Sequence, residues 1–123
     1  MALAPILYYG AMQMAPAGRA ATVSSGFHQL GKAALAKIES AQDALPETDD
    51  VFSQRIADAD RSMSVAGQAA HTAADQRDYT RLVSYLRAVK EDRMMMLAQS
   101  DPSQHVDEEQ TNSARQGAEQ AFQ

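Results

Sequence analysis

The sequence predicts an all-α fold, on three observations. Apolar residues recur at spacings of three and four along most of the 123 residues, as on one face of a helix. The clearest breaks in that pattern, around Pro46 and at Ser100-Asp101-Pro102, are helix punctuation. Alanine, the strongest helix former, supplies much of the apolar content. Three principal amphipathic helices are expected within a helical core over 26–99. An apolar N-terminal arm precedes it (1–25) and a polar, marginally helical C-terminal extension follows (100–123). The second and third helices either separate near 74–78 or run on as one rod of about 70 Å.

The arm, Met1 to about Ser25, opens with an uncharged stretch carrying Ile6, Leu7, Tyr8 and Tyr9. A membrane-spanning helix needs about 20 apolar residues, and Pro5, Gly10 and Pro16 interrupt this run well before that. A signal peptide would place Lys or Arg ahead of the apolar run, and none is there. The arm therefore packs on the chain's own helices, on a neighbouring subunit, or shallowly into lipid. Left uncovered, four large apolar side chains in a row invite aggregation.

The first helix, 26–45, follows Ser24 or Ser25 as N-cap and stops before Pro46. Phe27, Leu30, Ala34, Ile38, Ala41 and Leu45 form its stripe, and Gly31 permits close approach of another backbone. The second helix, 51–74, begins after the acidic turn Glu47-Thr-Asp-Asp50, whose charge suits the positive end of the helix dipole. Phe52, Ile56, Ala59, Met63, Ala66, Ala70 and Ala73 step alternately by four and three, a heptad seam largely filled by alanine. It serves a helical hairpin within the chain or a seam between chains. His71, Asp75 and Asp78 are the nearest approach to a metal cluster. A site needs more convergent ligands than these spacings supply, so no metal or cofactor is expected.

The third helix, 78–98, holds the densest large apolar residues, with Leu82, Leu86 and Val89 on one face and Asp78 as the expected N-cap. Tyr79 and Tyr85 read as core or edge residues. Met94, Met95 and Met96 surround most of one turn, so at least one points away from the chain's own interior. Flexible thioethers of this kind adapt to irregular partner surfaces. In the extension, Asp101, Pro102 and Gln104 resemble a capping box, and only Val106, alanines and Phe122 offer apolar bulk.

Composition narrows the function. A net charge of −5 argues against general binding to nucleic acid or anionic lipid. There is no cysteine for a disulfide or a thiolate metal site. No phosphate loop, nucleophile–base pair or dinucleotide fingerprint occurs, so no enzyme activity is expected. With three Phe, four Tyr and no Trp, the interior is thin and calls for completion by other chains. The expected function is a structural subunit of a multi-copy assembly, such as a small phage virion component at a head–tail connection or inside the particle. Its expected partners are copies of itself and other subunits. The expected contact residues are Ile6, Leu7, Tyr8, Tyr9, Phe52, Ile56, Met63, Met94, Met95 and Met96. Asp78, Leu82, Tyr85, Arg93 and Ala98-Gln99-Ser100 resemble the second helix of needle subunits of bacterial injection machines, over a fifth of the chain. That resemblance implies a secreted helical hairpin, from which the helix at 51–74 departs. A helical adaptor or chaperone that binds one partner helix in a groove is the third reading.

Overall fold

The computed structural model describes residues 24–98 and 108–123. They form four helices: α1 (Ser25–Asp43), α2 (Asp49–Gln68), α3 (Ala73–Ala98) and α4 (Glu108–Phe122). No strand occurs among the described residues, and the fold is all-α. The expected arm at Ile6–Tyr9 and the capping box at Asp101 lie outside the described residues.

α1 packs most extensively on α2, α3 packs most extensively on α4, and α1 also touches α3 and α4. The α2–α3 contact is slight by comparison. The core therefore sits around α1 and the inner face of α3. Phe27, Ile38, Leu82, Tyr85, Val89 and Phe122 are each at most 1% exposed there. The first helix keeps its expected stripe, with Leu35 and Gly31 buried beside it.

The α1–α2 turn closes as the composition requires. The Ala44 N–H donates back to Ser40 and Ala41 carbonyls, and Thr48 accepts from the Val51 N–H at 3.4 Å. Asp49 and Asp50 stand in the first turn of α2. Arg93, reaching over from α3, fastens this turn from outside. Its Nη1 donates to the Leu45 and Glu47 carbonyls, the latter at 2.8 Å, and its Nη2 to Asp49. The guanidinium lies 5.0 Å from the Phe52 ring centroid, where a cation is attracted to the ring face.

The second and third helices are separate, and the break falls at 69–72 rather than 74–78. The cap is a reciprocal pair. The Asp75 N–H donates to Thr72 Oγ1 at 2.9 Å, and the Asp75 carboxylate accepts from the Thr72 and His71 N–H groups. Asp78, expected as the N-cap, is an interior helical residue only 4% exposed and bonded to Arg77 at 3.1 Å.

The extension contributes a fourth helix that enters the core. Thr111, Ala118 and Phe122 are buried and Ala114 packs against the same cluster, so the inner stripe of α4 is made mostly of small side chains. Gly31 is the reason Phe122 fits. A Cβ at position 31 would lie 2.0 Å from Phe122 Cε1, so the ring occupies the notch that glycine leaves. Phe27 and His28 complete the pocket, with ring centroids 5.6 and 5.8 Å from that of Phe122. The close approach expected at Gly31 is made by an aromatic ring.

Candidate functional site

Helices that spend their packing on other partners leave a groove between them, and α2 and α3 do this. Two adjoining cavities line the groove. One, of 550 Å³, is bordered by Met63, Ser64, Tyr79, Val83, Leu86 and Arg87. The other, of 380 Å³, is bordered by Phe52, Ser53, Ile56, Ala57, Arg93 and Met94. Asp60 and Lys90 line both, so the cavities form one channel along the two helices. From Tyr79 to Met94 the channel follows α3 for about 22 Å, at 1.5 Å per residue.

The walls arise from a second stripe on α3. Tyr79, Val83, Leu86 and Lys90 step by four, three and four, and Met94 follows four later, alongside the inward stripe of Leu82, Tyr85 and Val89. Across from them α2 presents Ser53, Ala57 and Ser64, too short to fill the gap. The Lys90 Nζ to Asp60 Oδ1 contact spans the channel at 3.3 Å. Both side chains are about half exposed, so this pair is worth at most about 1 kcal/mol and acts as a polar rim rather than a lock.

Four of the ten expected contact residues meet in this groove. Phe52, Ile56 and Met94 line one cavity and Met63 the other. Phe52 and Met63 form its floor, while Met94 stands out at 68% exposure with Leu97 at 64% beyond it. Met95 is half-buried, and Met96 packs partly against the core. Ile6, Leu7, Tyr8 and Tyr9 lie outside the described residues. Tyr79, Val83 and Leu86 were not singled out from the sequence as contact residues, although their four-three step was visible there.

No family model, curated protein or solved structure matches the chain, so the functional reading stands on this geometry.

A cluster of titratable side chains lies away from the groove and ties α4 to α1 and α3. The Tyr85 hydroxyl donates to Gln42 Oε1, and Gln42 Nε2 donates to Asn112 Oδ1 at 3.1 Å. Arg115 Nε donates to Glu39 and Glu119, each at 3.1 Å. Burial pushes the Tyr85 phenol up, so it stays protonated as a donor. Burial, then the hydrogen bond with Glu119, raises Glu39. The same hydrogen bond, then Arg115, lowers Glu119. The shared hydrogen bond thus moves the two carboxyls in opposite directions while Arg115 bridges both, a clasp between helices.

Asp75 forms another buried polar centre. Burial alone would raise its carboxyl, but hydrogen bonds from the Ser24 N–H (2.9 Å) and Oγ–H (3.0 Å), with those from Thr72 and His71, hold it below the ordinary range. Its oxygens are engaged by these donors. Among the described residues no three His, Asp or Glu converge to hold a metal ion, and no helix is long and apolar enough to cross a membrane.

Proposed function

We propose that this chain is a non-enzymatic helical subunit of a multi-copy protein assembly, and that the α2–α3 groove with the neighbouring Met94–Leu97 turn is its docking face. The observation that carries the reading is the groove itself. It joins an apolar floor to a thin polar rim over about 22 Å, a length that receives roughly four turns of a partner helix. Methionine and tyrosine along its edges adapt to a partner at low cost. A phage particle, at a head–tail connection or as an internal protein, is the setting we favour for such a subunit.

The same groove supports a second reading, a helical adaptor that takes up one helix of a single partner. Stoichiometry separates the two. Light scattering over a concentration series is expected to show the mass rising above the 13.3 kDa of one chain. Ile56→Glu with Val83→Glu should abolish that rise while leaving far-ultraviolet helicity intact. A mass of one chain throughout the series would overturn the assembly reading and favour the adaptor.

A further inference from the structure

We infer that the α2–α3 groove is filled by a second copy of this chain, related by a two-fold axis that runs along the channel. α2 of each copy then lies over α3 of the other. This rests on the reading of the groove as a protein-docking face and names the partner that fits it. Relief and charge both point to this occupant.

The two walls differ in height. Ser53, Ala57, Asp60 and Ser64 step by four, three and four along the exposed edge of α2, and most are small. Across the channel α3 raises Tyr79, Val83 and Met94, the last standing out into solvent. A partner must therefore be tall over α2 and low over α3. The chain itself has that outline when turned over about the long axis of its own channel. α2 and α3 run antiparallel, with Ser53 level with Met94, Asp60 with Lys90, and Ser64 with Tyr79 and Val83. Rotation about the long axis keeps each level in place. Met94 of each copy thus descends on the Ser53–Ala57 wall of the other.

Charge selects the same axis. The lining charge on α2 is Asp60, while α3 offers Arg87 and Lys90, with Arg93 spent on the α1–α2 turn. The rotation sets Asp60 of each copy against Lys90 and Arg87 of the other, once on each side of an isologous contact. A two-fold axis across the channel would instead lay Lys90 on Lys90 and Asp60 on Asp60. Rim charges of this kind fix register more than they add affinity. A face about 22 Å long and two helices wide is small for an interface, so the pair forms only as concentration rises.

The test reverses the two charges in separate full-length chains, Asp60→Lys in one and Lys90→Glu in the other. Each alone puts like charges together twice per pair, and is expected to weaken self-association in the scattering series by about tenfold or more. Mixed in equal amounts, the two variants should associate within about threefold of the wild type, since both contacts again join opposite charges. Within each mixed chain positions 60 and 90 still carry one sign, so this recovery cannot come from repairing the pair inside a chain. The absence of cysteine allows a second arm that leaves these charges alone. Ser53→Cys or Ser64→Cys is mixed with a tagged Met94→Cys chain, and interchain disulfides are resolved on a non-reducing gel. The bridge from 53 should form at least about fivefold faster than that from 64, because the Cα atoms must come within about 7 Å. Association lost in both charge variants and not recovered on mixing would overturn the inference, as would association that neither reversal weakens. Equal disulfide rates, or a faster bridge from 64, would overturn it too. All of these leave the assembly reading standing, whereas a wild-type mass of one chain throughout the series removes that reading and this one together.

Discussion

Arg93 shows how one side chain settles a junction. Its ion pair with Asp49 reaches a carboxylate that is 79% exposed, so water screens it. The Leu45 and Glu47 carbonyls weigh more, because they lie in the turn between α1 and α2, where no helix ladder serves them. Arg93→Ala is expected to cost about 2–3 kcal/mol in urea unfolding, the loss of charge-assisted hydrogen bonds. Arg93→Lys should recover less than half, since an ammonium cannot serve both carbonyls and the Phe52 face. Asp75 makes a prediction in pH. Its folded value lies below the ordinary 3.8, so its contribution is complete above 3.8 and is lost as pH falls through the folded value. The stability difference between the wild type and Asp75→Asn should therefore be flat from neutral pH to about 5 and shrink below 3.8. A difference that grows on acidification would refute the role given to this carboxylate.

The helices differ in how far their sequence announced them. α1 and α2 follow their stripes as far as Ala41 and Ala66, because Pro46 and the acidic turn fix the junction between them. Beyond that, Leu45 lies in the turn, Ala70 in the break, and Ala73 opens α3. α3 begins earlier than its apolar pattern suggests. The Thr72–Asp75 pair caps it at a place where neither glycine nor proline marks a break. α4 was the least readable. Its stripe uses Thr111, Ala114 and Ala118, which carry little hydropathy, and its anchor Phe122 depends on a notch at Gly31 some 90 positions away. That dependence is testable with two substitutions that look alike on paper. Gly31→Ala should destabilise by about 1–3 kcal/mol, because the added methyl has to displace the Phe122 ring. Gly117→Ala, where nothing lies within 4 Å of the added carbon, should stabilise by about 0.5–1 kcal/mol through helix propensity alone. Thermal melts of the two variants check the sign in each case.

Taken together, the four helices bury a real interior around α1 and the inner face of α3, with Phe122, one of the few apolar side chains of the extension, supplying bulk to it. The thinness expected of the core is local. It is concentrated between α2 and α3, where short side chains on one wall face Tyr79, Val83 and Leu86 on the other. Of the candidate contact residues, Phe52, Ile56, Met63 and Met94 were recognisable from heptad spacing and from the methionine run. The opposite wall was not, because α3 carries two apolar stripes and periodicity alone does not say which one the chain covers itself. A partner on this face should shield a defined set of side chains, and hydroxyl-radical footprinting of dilute against concentrated protein reads that set directly. We predict that Met94, Leu97 and Tyr79 lose reactivity on association, while Val65, half exposed beside Leu30 and Arg61 at a separate shallow pocket, keeps its own. Protection of Val65 with Met94 and Tyr79 unchanged would contradict the assignment of the α2–α3 groove as the docking face.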